Sequence, residues 1–174
     1  MQKHIVRLLT VVIIVVGTVG CDQGTKIVAR KTLPLYEKVS VVGDYFILIH
    51  AENRGAFLSL GENFAPGLRT VLFGALPLLI VVGIAGYLLV RRPASPAQAV
   101  ALSLVLGGGI GNLIDRLARG GYVTDFMNAG IGNHRIGIFN FADLFLMAGI
   151  ALFLLLSIRE SRQKQAPSDP TAGS

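Results

Sequence analysis

The sequence holds a single cysteine, Cys21, so no intrachain disulfide can form. It has no tryptophan and only three histidines, His4, His50 and His134, none inside a long apolar run. No His-Glu-x-x-His pair is present to bind a catalytic zinc, and no histidine is placed as base for a serine within a membrane span. Charge is scarce as well. Asp, Glu, Lys and Arg make up 15% of the residues, below the roughly 25% of ordinary soluble domains. The formal charge is +6. The basic residues mostly flank apolar runs, with no aromatic-basic platform and no zinc spacing, which argues against nucleic acid.

What the chain does have is apolar length. Hydrophobic residues make up 52% of it and gather into four runs, at about 5–24, 70–90, 97–117 and 139–158. Each is close to the ~20 residues a helix needs to cross the hydrocarbon of a bilayer. The fold class expected is an α-helical membrane protein of four transmembrane helices, forming a single domain over 1–162. The stretch 31–65 is too polar to span. Within it, Lys38–Val42 and Tyr45–His50 read as strands around a Gly43-Asp44 turn, predicting a small extracytoplasmic β-sheet between helices 1 and 2. Residues 163–174 are rich in Pro, Ser and Gly and are expected to be a disordered cytoplasmic tail. An even number of spans puts both termini on one side. The dense basic residues Lys3, Arg7, Arg91, Arg92, Arg159, Arg162 and Lys164 assign that side to the cytoplasm.

Polar residues at the edges of these runs carry the chemistry. An Asp at the centre of a span costs about 2.5–3.5 kcal/mol on insertion scales, so such residues are paired, near water or functional. Asp22 and Lys26 stand four apart and share a helix face; they suit either an interfacial ion pair or the mouth of a site. Asn53-Arg54-Gly55 suits a tight turn. Gly107 and Gly111 form a small-xxx-small pair for close helix packing, and Asn112 and Arg116 share a face beside Asp115. Asp143 opens the fourth run, where a helix N-terminus favours a negative charge by about 0.3–1 kcal/mol. That leaves Asp125, set among apolar neighbours at the same depth, without a structural account.

Two carboxylates at one membrane surface suit an aspartic dyad as well as a structural role. Held close, both cannot ionise, so their pKa values split; the ionised acid activates water and the protonated one donates to the carbonyl under attack.

Five segments, in this order, resemble the motif boxes of the lipoprotein signal peptidase (signal peptidase II) family: Asp22-Gln23-Gly24-Thr25-Lys26, Asn53-Arg54-Gly55-Ala56, Gly111-Asn112-Leu113-Ile114-Asp115-Arg116-Leu117, Val123-Thr124-Asp125-Phe126 and Phe139-Asn140-Phe141-Ala142-Asp143. The resemblance runs from the first span to the last. It implies an intramembrane aspartic endopeptidase with Asp125 and Asp143 as catalytic residues. Asp22, Lys26, Asn53, Arg54, Gly108, Asn112, Asp115, Arg116 and Asn140 would be supporting or substrate-binding positions. It further implies a diacylglyceryl-modified prolipoprotein as substrate, cut just before the lipidated cysteine. The site would lie near the outer face of the bacterial inner membrane, with a short amphipathic segment beside it. The resemblance also implies membrane lipid around the site and inhibition by globomycin-like cyclic peptides. No metal and no cofactor are implied, and a monomer is expected. The chain departs from the family pattern at Phe57-Leu58, at Thr124 and Leu144, and in an Arg116–Asp125 interval about one residue longer than usual.

Two rival readings remain open. Thr18-Val19-Gly20-Cys21 partly resembles a lipobox, which would make the chain itself a lipoprotein. A small transporter or ion-binding protein could use Asp22, Asp115, Asp125 and Asp143 as a relay, though all four gather at one face and the other half of the bilayer has no partners for them. A lid over the site is expected between Asn53 and Glu62.

Overall fold

The computed structural model describes residues 2–55, 61, 63–91, 93 and 95–165. Among them, four helices are long and apolar enough to cross a membrane: α1 (Gln2–Thr32), α2 (Pro66–Val90), α3 (Pro96–Ala118) and α4 (Phe141–Gln165). At ~1.5 Å per residue each exceeds the ~30 Å hydrocarbon thickness. α1 runs well past residue 24, where hydropathy ends the first span, because Lys26 and Arg30 find partners inside the protein. It begins at Gln2, which puts His4 in the first turn of a spanning helix. α4 continues through Gln165, so 163–165 are helical, and the rest of the expected tail lies outside the described residues. So do 56–60 and 62, which carry Phe57-Leu58 and most of the expected lid.

Local sequence sets the helix starts. Ser95 accepts a hydrogen bond from the Gln98 amide at 3.2 Å and Pro96 occupies the first turn of α3, where a missing N–H costs nothing. In α2 the segment Thr70–Ala75 is π-helical. It lies just ahead of Pro77, which has no N–H to offer the Phe73 carbonyl and crowds it sterically, so the turn widens there.

α3 is the central helix. Its most apolar stretch is 56% buried, against 6–11% for the other three, which turn most of their apolar surface outward. The glycines of α3 explain its position. A Cβ on Gly107 would strike Thr18 of α1, one on Gly108 would strike the Ala142 carbonyl of α4, and one on Gly111 would sit 2.6 Å from the Asp22 carboxylate. Small side chains let both neighbours approach closely enough to share polar contacts.

The sheet is larger than the hairpin read from sequence. β1 (Val39–Val42) and β2 (Phe46–Asn53) come from the α1–α2 connection, as expected; β3 (Val123–Ile131) and β4 (His134–Arg135) come from between α3 and α4. All pair antiparallel in the order β1-β2-β3-β4. Gly120 and Gly121, both with positive φ, make the turn from α3 into β3 and absorb the long Arg116–Asp125 interval. The Phe139 carbonyl accepts from the Phe126 and Met127 amides, and Phe139 donates back to the Met127 carbonyl at 2.8 Å. These bonds tie the lead-in of α4 to β3. Beneath them Ala29, Phe126, Met127 and Phe139 form a buried apolar cluster that joins the sheet to α1.

Candidate active site

Asn140 immediately precedes α4 and caps it. Its side-chain oxygen accepts from the Asp143 amide at 3.0 Å, while the Asp143 carboxylate accepts from the Asn140 amide at 3.1 Å. This reciprocal pair is a capping box in which Asn and Asp stand for the usual Ser/Thr and Glu. A third orphan donor of the helix end, the Ala142 amide, is met by Asp22 of α1 at 2.9 Å. Asp143 is thus fixed by the helix start itself, and its other oxygen accepts from the Asn112 amide group at 2.8 Å.

Asp125 arrives from a different element. Asn53 of β2 pairs with Val123 and Ala51 with Asp125, so Asn53 and Asp125 are diagonal neighbours on one face of the sheet. The Asn53 side chain donates to Asp125 at 2.9 Å, and Asn140 donates to the other carboxylate oxygen at 2.6 Å. Asn140 therefore holds both acids, one through its amide N–H₂ and one through its cap. Asp125 is 2% exposed. Burial pushes its carboxyl from the ordinary 3.8 up to about 7, with the nearby Asp143 charge adding to the rise and the amide bonds from Asn53 and Asn140 opposing it.

Lys26 organises the surroundings. Its ammonium lies 2.9 Å from Asp22, 3.4 Å from Asp115 and 3.0 Å from the Asn112 side-chain oxygen, and it is fully buried. A buried ammonium is tolerable only with such partners. The Lys26 bond also fixes which way the Asn112 amide points, with oxygen toward Lys26 and nitrogen toward Asp143. Asp115 accepts from the Thr124 amide at 2.8 Å, next to Asp125 in the chain. Arg116 donates to the Gly55 carbonyl at 2.9 Å, and its charge acts on Asp143 and Asp125.

The structure brings Asp22, Lys26, Asn53, Asn112, Asp115, Arg116 and Asn140 around the two acids. Gly108 contributes as a gap that admits the start of α4. Arg54 stands apart, with its guanidinium 4.1 Å above the Tyr122 ring.

Residues 13–159 match the family described as signal peptidase (SPase) II. The chain belongs to the signal peptidase II family. Among its relatives, the lipoprotein signal peptidase of Borrelia hermsii is 36% identical over 157 residues, covering 87% of this chain and 91% of the relative. That of Geobacter metallireducens is 38% identical over 143 residues, covering 82% and 86%. A bacterial membrane enzyme solved by the in meso method at 2.3 Å has the same fold, with a TM-score of 0.79 at 24% identity over 92% of this chain and 94% of that one. A second, at 1.9 Å, gives 0.76 at 26% over 86% and 93%. As a member of the signal peptidase II family the chain is a peptidase.

Two residues of this signal peptidase II site went unread in the sequence. Gln23 donates to Asp22 and to the Gly111 carbonyl, each at 3.0 Å. Arg30 donates to the Thr124 hydroxyl at 3.0 Å and lies 3.9 Å from Asp115. The spacing of Asp22, Lys26 and Arg30, four apart on one helix face, was the available signal. Gln23 stands in the first motif segment, but nothing local shows its role, because the Gly111 carbonyl that it also reaches is on another helix.

Proposed function

We propose that Asp125 and Asp143 are the catalytic dyad of this peptidase, and that its substrate is a diacylglyceryl-modified prolipoprotein cut just before the lipidated cysteine. The observation that carries the reading is Asn140, which holds both carboxylates from one residue at the junction of β3 and α4. Every oxygen of the two acids accepts from an amide donor; at Asp125 those bonds favour ionisation, while burial and the neighbouring Asp143 charge oppose it. In this reading the two acids share one proton and titrate as a unit.

In the proposed reaction the ionised carboxylate removes a proton from water as the oxygen attacks the scissile carbonyl. The protonated acid donates to the carbonyl oxygen. Collapse of the tetrahedral species breaks the C–N bond, and the proton gained from water passes to the leaving amine. Asn53, Asn112 and Asn140 keep the carboxylates aimed, and Asp22, Lys26 and Asp115 hold those amides and the ends of β3 and α4 in place. Arg116 and Arg54 remain substrate-facing positions in this reading, with Arg116 holding the backbone that follows Asn53.

The substrate is inferred from the relatives, which carry the name lipoprotein signal peptidase. Orientation follows from charge. Arg7 donates to the Arg91 carbonyl at 2.9 Å, and Gln98 joins α3 to Glu160 of α4 at 3.0 Å, so Arg7, Arg91, Arg159 and Arg162 gather at one end. That end is assigned to the cytoplasm of the bacterial inner membrane, with both termini, and the dyad to the outer face. The enzyme is expected to act as a monomer and to be inhibited by globomycin-like cyclic peptides.

The test is cleavage of a diacylglyceryl-modified prolipoprotein by the purified protein, followed by gel shift. Wild type is expected to cut, and folded Asp125→Asn and Asp143→Asn variants are expected not to. A folded variant that still cuts would assign that Asp a structural role. Ion flux in liposomes without peptidase activity would favour the transporter reading.

A further inference from the structure

Lys26 and Arg30 stand four apart on one face of α1. Lys26 serves Asp143, because it fixes the Asn112 side chain that donates to that carboxylate. Arg30 reaches the strand of the other acid. Its guanidinium donates to the Thr124 hydroxyl at 3.0 Å, and Thr124 directly precedes Asp125. The Thr124 amide donates to Asp115 at 2.8 Å, and Asp115 lies 3.9 Å from Arg30. Thr124 is fully buried. It is thus gripped at two points, by α3 through its backbone and by α1 through its side chain.

Side chains alternate along a strand, so Thr124 and Asp125 point to opposite faces of β3. What holds Thr124 acts on Asp125 through the peptide between them. A single bond at the amide would leave the strand free to pivot about it. The hydroxyl bond removes that freedom, and a β-branched side chain has few rotamers through which to yield. The guanidinium itself does not need this acceptor: Arg30 is 21% exposed and has the Asp115 carboxylate beside it. Thr124 is also a position at which the chain departs from the family pattern, so the grip is not one that the shared motif residues supply. We propose that Arg30 is a positioning residue of the peptidase, aiming Asp125 at Asp143 through Thr124. The inference rests on the reading of Asp125 and Asp143 as the dyad.

The experiment is steady-state cleavage of a diacylglyceryl-modified prolipoprotein by the full-length protein in detergent, with folding of each variant checked by far-UV circular dichroism. Arg30→Gln is expected to lower kcat about tenfold with KM unchanged, part of the ~10²-fold that a 1 Å misplacement costs. Thr124→Val should lose as much, and Thr124→Ser, which keeps the hydroxyl, should stay close to wild type. The Arg30→Gln/Thr124→Val double variant should be no slower than either single one, because both delete the same bond. A contact that only stabilises the fold would leave kcat of the folded variants unmoved. Thr124→Val carries the test should Arg30→Gln fail to fold. Wild-type kcat in the folded single variants, an equal loss in Thr124→Ser and Thr124→Val, or multiplying losses in the double variant overturns the proposal. Asp125→Asn, run alongside, separates the two readings. If it is inactive while Arg30→Gln cuts at the wild-type rate, the positioning role fails and the dyad stands; if folded Asp125→Asn cuts, the dyad reading fails and this proposal falls with it.

Discussion

Replacing Asp125 by Asn should change the pH dependence of stability in a direction that a simple loss of contacts would not. The carboxyl ionises near 4 in the unfolded chain and at about 7 in the folded protein. Between those values the folded state holds a proton that the unfolded state has released. Wild-type stability therefore falls as pH rises through this window, and the loss is complete above about pH 7. Integrating from pH 5 to pH 8 gives a loss of about 3 kcal/mol from this residue alone. Asp125→Asn removes this residue's contribution to the slope. It also sets an amide N–H₂ against one of the two donors, Asn53 or Asn140, a cost that does not vary with pH. The variant minus wild-type stability should thus rise by roughly 3 kcal/mol from pH 5 to pH 8, whatever its value at pH 5. The chain has no tryptophan, so unfolding by SDS from mixed micelles would be followed by far-UV circular dichroism. Parallel wild-type and variant profiles across pH 5–8 would refute the reasoning, because they would mean that Asp125 ionises alike in both states.

Lys26→Met removes the cation shared by Asp22 and Asp115 and should destabilise by about 3–5 kcal/mol, since it leaves buried Asp22 without its counter-charge and Asp115 with only Arg30 nearby; thermal unfolding at pH 7 measures it. Asn140→Ala removes the helix cap and the bridge between the acids, and should lower kcat by roughly 10²–10³ while costing about 1–2 kcal/mol of stability. An equal fall in both Asn140→Ala readouts, with no excess loss of turnover, would contradict the positioning role. Thr124→Val deletes the hydroxyl that accepts from Arg30 and should cost about 1 kcal/mol. Combined with Arg30→Gln it should cost less than the sum of the single changes, and strict additivity in that double-mutant cycle would show that the bond contributes nothing.

Much of the site was legible because its residues break local rules. Asp22, Lys26, Asn112, Asp115 and Asp143 are polar at the ends of apolar runs, and only a shared purpose keeps such groups there. Spacing could show that Asp22 and Lys26 share a face, but not that both point at α3 and α4. Asp125 was legible as an acid among apolar neighbours, yet its place on a central strand was not. The run Val123–Ile131 carries a Gly and three polar residues, Thr124, Asp125 and Asn128, and is shorter than the helices around it. Its strand character comes from pairing with β2, more than 70 residues earlier in the chain.

The sequence by itself determined the membrane class, the four spans and the first hairpin, and it singled out the two acids proposed as the dyad, because each is written in local hydropathy or in short motifs. Tertiary structure alone decided that α3 is central, that β2 and β3 join in one sheet, and that Asn140 bridges Asp125 to the cap of Asp143. Those outcomes depend on which surfaces meet. Three glycines on α3 leave room for α1 and α4 to close in, and only then do the buried polar groups find one another and become cheaper to hold inside than apart.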